Sequence, residues 1–161
     1  MGKAKGRAGT APPPAPPEFT TQVSHHRVLL VDDDPSVLEA LGAVLESEGF
    51  EVTRAADGHQ AVIKFYEDRA DIVLLDLNMP VKGGWDTFER LTGIDPLLPV
   101  IILTARPDAL ATAMAVGAAA LMQKPLEIPV LLEAMRYFLA QPAEQRLARI
   151  ASHQPQTHCL A

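Results

Sequence analysis

Four polar stations punctuate this chain, each directly after an apolar run. Asp32, Asp33 and Asp34 follow residues 27–31, Asp76 follows 72–75, Thr104 follows 100–103, and Lys124 with Pro125 follows 119–123. Carboxylates brought together repel one another and hold on to protons unless a cation compensates them. An oxygen-only set of two or three carboxylates suits Mg²⁺, which keeps several waters and bridges readily to phosphate. A hydroxyl and an ammonium facing such an ion complete what a phosphoryl group needs: a donor, a fixed positive charge and a Lewis acid. Taken singly, each station has an ordinary reading. An Asp triplet caps a helix, a lone Asp after a strand is a turn residue, Thr is at home at a strand end, and Lys-Pro is a loop. The chemistry exists only if the fold brings them together.

The elements that carry these residues are legible as alternating patterns. Residues 72–75 and 100–103 are continuous apolar runs, the mark of strands buried on both faces; 27–31 is a first run, apolar after Arg27, while 52–55 is short and 119–123 weaker. Between them apolar residues recur at helical spacing. Val37, Leu38, Leu41, Val44 and Leu45 share one face, with Asp34 placed as a cap, Pro35 at the first position and Gly49 to end the helix. Further helices carry Ala61, Val62 and Phe65 after the capping Asp57, then residues 85–91, then Leu110 and Met114, and last Ile128, Leu131, Leu132, Met135, Phe138 and Leu139. Five strands alternating with five helices predict an α/β fold, a doubly wound five-stranded parallel sheet with helices on both faces. In the flavodoxin-like strand order 2-1-3-4-5 the first and third strands are neighbours. Asp32, Asp33 and Asp76 then meet beyond the carboxyl ends of the strands, and Thr104 and Lys124 face them.

Composition bounds the rest. The chain has 161 residues and a net charge of −6, enough for one domain with one core. Residues 27–140 hold nine Lys/Arg against 18 Asp/Glu, and the two tails carry a surplus of +3. An acidic body argues against direct contact with a nucleic-acid backbone. No apolar run approaches the roughly 20 residues of a membrane span, and no apolar segment follows the basic start as in a signal peptide. The lone Cys159 excludes an internal disulfide and a multi-cysteine zinc site. These features point to a soluble, cytoplasmic protein. Residues 1–24, with Pro12, Pro13, Pro14, Pro16 and Pro17, read as a disordered or polyproline-like tail. Residues 25–140 read as the domain, and 141–161 as a second tail with a short helix over 144–150, too small for an output domain of its own. His25 and His26 read as solvated, His59 as a surface helix residue, and Trp85 as partial core.

Five segments in order carry a resemblance: 28–35 (VLLVDDDP), 72–80 (IVLLDLNMP), 101–105 (IILTA), 117–119 (GAA) and 124–125 (KP). Together they resemble the receiver domain of two-component response regulators, over residues 27–140. The resemblance implies that Asp76 is the phosphoacceptor, charged by a sensor histidine kinase or a phosphotransfer protein. It implies Mg²⁺ held by Asp33 directly, by Asp32 partly through water, by Asp76, and by the backbone carbonyl of Asn78, whose side chain borders the pocket. Thr104 and Lys124 bind the phosphoryl oxygens, and the Lys124–Pro125 bond is cis. The product carries roughly −1.5 to −2 charges and biases a two-state protein surface near the fourth helix and strand and the fifth helix. The output expected of a stand-alone receiver is protein–protein contact with a partner the sequence does not name, with a phosphorylation-dependent homodimer left open.

The chain departs from the family at three places. Leu121 stands three residues before the Lys, where the family usually has Tyr or Phe at its switch position. Leu126 replaces a common Phe, and residues 82–84 (KGG) vary a loop that often reads Met-Asp-Gly. Arg106, two residues past Thr104, holds a position that in the family tunes the access of water to the acyl phosphate. The leading expectation is a signalling protein rather than an enzyme; the alternative is a receiver-like interaction module that works without phosphorylation. A haloacid-dehalogenase-type phosphatase would need a second acid where Asn78 stands, and neither a G-x-G-x-x-G nor a P-loop follows the first strand.

Overall fold

The computed structural model describes residues 9, 11–12, 25–79 and 83–152. Most of the Pro-rich tail, Lys82 of the varied loop, and Cys159 lie outside the described residues. Five strands, β1 (Arg27–Val31), β2 (Glu51–Ala55), β3 (Ile72–Asp76), β4 (Val100–Thr104) and β5 (Ala120–Gln123), pair in parallel in the order β2-β1-β3-β4-β5. Six helices follow the strands: α1 (Pro35–Ser47), α2 (Gly58–Glu67), α3 (Gly84–Ile94), α4 (Leu110–Val116, led in by a 3-10 turn at Pro107–Ala109), α5 (Ile128–Ala140) and α6 (Ala143–Ser152). The expected α/β class and strand order are those observed. No helix among the described residues is long and apolar enough to cross a membrane.

Successive strand residues point to opposite faces, so the apolar runs feed two cores. Val28, Leu30, Ile72, Leu74, Ile101 and Leu103 pack with Leu41 and Leu45 of α1 and Leu131, Met135 and Phe138 of α5. Leu29, Val31, Val73, Leu75, Val100 and Ile102 pack on the other side with Ala61 and Phe65 of α2, Phe88 and Leu91 of α3 and Ala113 of α4. Strands buried on both faces need such unbroken runs.

The helix ends follow from local chemistry. The Asp34 side chain accepts the Ser36 N–H at 2.9 Å, with Pro35 at the first helical position of α1. At the other end Gly49 adopts φ +91°, which lets the Phe50 N–H reach the Leu45 carbonyl and the Gly49 N–H reach that of Glu46, both at 3.1 Å. Phe50 and Leu45 then pack in the same core. Asp57 caps α2 through the Gln60 N–H at 2.8 Å. Gly117, at φ +81°, ends α4 in the same way, with the Ala118 N–H on the Ala113 carbonyl.

Helix α6 docks differently. Its large apolar side chains, Leu147 and Ile150, are 55% and 36% exposed. The residues turned inward are arginines. Arg146 Nη2 donates to the carbonyls of Phe138 and Leu139 at 3.1 and 3.4 Å, in the last turn of α5, where the Phe138 carbonyl also accepts the Gln141 N–H at 3.3 Å. Arg149 lies over the Phe138 ring at 5.3 Å and donates to Gln141 Oε1 at 3.1 Å. Burial, and then the charge of Arg146, hold the Arg149 guanidinium below its ordinary pKa. Arg149 and Ile150 border a cavity of about 300 Å³ with Leu98 and Gly117, which precede β4 and β5. Helix α6 therefore crosses the sheet at the amino-terminal ends of its strands, the end at which β1 begins.

Candidate phosphoryl and metal site

Sheet register sets the site. Val31 of β1 pairs with Leu75 of β3, so Asp32 stands level with Asp76 on adjacent strands. Asp76 pairs with Leu103, and Thr104 with Gln123, so Thr104 and Lys124 follow one step beyond. All are at the carboxyl ends of the strands, where the βα loops leave a crevice. Carboxylate oxygens of Asp32, Asp33 and Asp76 lie within 4.8 Å of one another. Asp32 and Asp76 are 1% and 2% exposed, and Asp33 is exposed.

Backbone amides hold the two buried acids. Asp32 Oδ1 accepts the Asp34 N–H at 2.9 Å, and Asp76 Oδ1 accepts the Asn78 N–H at 3.0 Å. Lys124 reaches both, with Nζ 3.1 Å from Asp32 Oδ2 and 3.6 Å from Asp76 Oδ1. The Lys124–Pro125 peptide is cis. The fully buried Thr104 accepts the Arg106 N–H on Oγ1 at 2.9 Å, while the side chains of Arg106 and Asn78 are exposed. Leu121 is half-buried and packs on the core beneath α2, α3 and α4. Trp85 is half-buried, edge-on to Phe88 at 6.2 Å.

Burial pushes the Asp76 carboxyl above its usual range; the neighbouring charges of Asp32 and Asp33 add to this, against the Asn78 N–H and Lys124. For Lys124 burial opposes the ammonium but is outweighed by its hydrogen bond to Asp32 and the charge of Asp76, so its pKa is raised. Among the described residues, three carboxylates thus face a single ammonium in this crevice. Three acid oxygens in one crevice fit a hard, oxygen-seeking divalent ion.

A stability prediction follows. Because the folded state raises the pKa of Asp76, the folded chain binds more protons there than the unfolded chain. Stability from this group therefore falls as pH rises from the unfolded carboxyl range through the folded pKa. In Mg²⁺-free buffer at pH 7, Asp76→Asn is expected to raise stability by about 1 kcal/mol in urea unfolding. The gain should shrink at acid pH, where Asp76 is neutral in both states, and shrink again when Mg²⁺ is added. A gain independent of both would contradict the electrostatic cause.

Comparison with known proteins agrees with this geometry. The sequence model of the response regulator receiver domain matches residues 28–136. The transcriptional regulatory protein PrrA of Mycobacterium leprae is 45% identical over 86 residues, covering 53% of this chain and 37% of PrrA. The chain spans about a third of the length of the curated relatives it matches. The chemotaxis protein CheY4 of Vibrio cholerae superposes with a TM-score of 0.67 at 30% identity, over 71% of this chain and 99% of CheY4. The response regulator protein TrrA of Thermotoga maritima, solved in complex with Mg²⁺-BeF, superposes with a TM-score of 0.66 at 28% identity, over 70% of this chain and 98% of TrrA. With the fold, the acid cluster and the family match all placed on residues 28–136, the chain belongs to the response regulator receiver domain family.

Proposed function

We propose that this chain receives a phosphoryl group on Asp76 from a phosphohistidine of a sensor kinase or a phosphotransfer protein. The single observation that carries the reading is the set of Asp32, Asp33 and Asp76 oxygens within 4.8 Å, with Lys124 bridging the two buried acids. Asp32, Asp33, Asp76 and the Asn78 carbonyl would hold Mg²⁺, which supplies Lewis-acid neutralisation of the phosphoryl oxygens. The Asp76 carboxylate attacks phosphorus. A P–O bond forms as the P–N bond of the donor breaks, and the leaving imidazole takes up a proton. Lys124 is poised to exchange its contact with Asp76 for a phosphoryl oxygen, and the Thr104 hydroxyl donates to another. Little covalent work is asked of the protein; positioning and charge do most of it.

The donor's seat lies beside the site. An apolar cavity of about 300 Å³ is lined by Val37, Leu41 and Val44 of α1 and by Pro125, Leu126 and Ile128, with Lys124 at its edge. An amphipathic helix presenting a histidine toward Lys124 fits such a groove. The acidic body disfavours nucleic acid as the direct partner. Leu121 favours a second reading, an interaction module that works without phosphate, because a half-buried leucine has no ring to swing between positions.

Intact-protein mass spectrometry after incubation with acetyl phosphate separates the two. A Mg²⁺-dependent phosphate adduct, lost in Asp76→Asn, is expected. Its absence with acetyl phosphate and with phosphohistidine donors, while Mg²⁺ still binds, would favour the second reading. In the same assay Arg106→Ala is expected to change the adduct's lifetime severalfold while leaving Mg²⁺ affinity within about twofold; equal lifetimes would remove Arg106 from that role.

A further inference from the structure

The first residue of α3 passes directly under the strand end that carries Asp76. A Cβ built on Gly84 would lie 2.7 Å from the Cα of Leu77, 2.8 Å from the carbonyl oxygen of Asp76 and 2.9 Å from Leu77 Cδ2. Two of these neighbours are main chain, so relief requires the backbone to move. Its sequence neighbour Gly83, by contrast, has nothing within 4 Å of such a Cβ. The Asp76–Asn78 turn is otherwise held by the Leu77 N–H on the Leu103 carbonyl at 3.1 Å and by the Asn78 N–H on Asp76 Oδ1 at 3.0 Å. These tie it to β4 on one side and to its own carboxylate on the other. Among the described residues, the bare Cα of Gly84 packs against a further side of this turn.

We infer that Gly84 is a positioning residue for phosphoryl transfer: the absence of a side chain lets α3 seat against the Asp76–Leu77 backbone and sets where the Asp76 carboxylate points. The inference rests on Asp76 being the phosphoacceptor. A methyl group at residue 84 displaces the turn, and with it both the attacking oxygen and the Asn78 carbonyl. In-line attack is sensitive to such shifts, since a misplacement of about 1 Å costs on the order of 100-fold. Asp32 and Asp33 stand on another strand end and keep their positions, so metal binding suffers less than transfer.

The test measures the acetyl phosphate reaction of the full chain across Mg²⁺ concentrations, with urea unfolding of each variant and titration calorimetry for Mg²⁺ binding. Gly84→Ala is expected to lower the rate at saturating Mg²⁺ by about 10- to 100-fold. Its Mg²⁺ half-saturation should move by less than about threefold, a split that partial unfolding does not produce. Gly83→Ala, the matched change in open space, is expected to react as wild type does. Leu77→Ala/Gly84→Ala removes the side-chain clash and leaves the two backbone ones, so it is expected to stay about 10-fold or more below Leu77→Ala; it carries the test if Gly84→Ala does not fold. A folded Gly84→Ala within twofold of wild type overturns the inference. So does a double variant that recovers the Leu77→Ala rate. A wild type that takes no phosphate, or takes it elsewhere than Asp76, fails the parent reading instead.

Discussion

Replacing Lys124 with methionine is expected to cost about 2–3 kcal/mol of stability in Mg²⁺-free buffer and to return most of it when Mg²⁺ is added. The ammonium is the cation shared by two acids that are almost wholly buried, at 3.1 and 3.6 Å. Removing one partner of a buried ion pair leaves an uncompensated charge, typically a loss of 3–5 kcal/mol. The Lys124 side chain is 26% exposed, so water screens part of the interaction and the lower figure applies. A bound divalent ion stabilises the folded state by mass action, by about 2.7 kcal/mol at a hundredfold excess over its dissociation constant. Without the ammonium competing for the acids, the variant should bind Mg²⁺ more tightly than wild type. Urea midpoints with EDTA and with Mg²⁺ check this. A loss equal in both would mean that Lys124 acts by packing its stem, not by its charge.

The second large effect is expected at Phe138. Its ring is 1% exposed, stands edge-on to Tyr137 at 5.2 Å and supports the Arg149 guanidinium at 5.3 Å. Phe138→Ala removes the buried ring and opens a cavity, a change that costs about 3–5 kcal/mol in well-packed cores. The loss extends beyond the core because Arg149 is seated on that ring, while the large apolar side chains of α6, Leu147 and Ile150, stay largely exposed. Amide exchange over residues 143–152 should therefore accelerate in Phe138→Ala more than exchange in β3. Arg149→Ala should accelerate the same amides with little effect on the sheet. In a double-mutant cycle the two changes should be non-additive by about 0.5–1 kcal/mol. Full additivity would show that the ring and the guanidinium do not support one another.

The residues explain why much of this was readable beforehand. Apolar runs that must be buried on both faces have few alternatives to parallel strands, and Asp34-Pro35, Asp57 and Gly49 carry their cap chemistry in their side chains or in the lack of one. The strand order carries Asp32, Asp33, Asp76, Thr104 and Lys124 to the same end of the sheet, so their meeting follows once that order is assumed. Other features depend on contacts with backbone, which leave little mark on composition. The sequence reading placed a short helix at 144–150 but not its docking, because Arg146 bonds carbonyls that belong to no particular side chain. Arg54 sits in a strand pattern, yet its Nε donates to the Leu38 carbonyl at 3.0 Å and its Nη1 pairs with Glu46 at 2.8 Å, over the bare Cα of Gly42. Gly84 read as a loop variant; its closeness to Asp76 arises from chain segments that only the tertiary fold brings together. The strand expected over 119–123 is found over Ala120–Gln123, with the Ala119 N–H already bonded across to the Val100 carbonyl of β4 at 2.9 Å.

Because β1 begins, and α6 lies, at the amino-terminal edge of the sheet, both ends of the folded body leave from one pole, and the acids occupy the other. Five residues of strand separate the poles by about 16 Å. The described body therefore begins, at residue 25, and ends, at residue 152, on the side away from the crevice. Two attachments at once would sit near each other, so a pair of dyes placed at residues 25 and 152 would report on the base of the molecule alone. A body held to a surface at residue 25 or 152 would still present Asp76 outward, open to a donor arriving from solution.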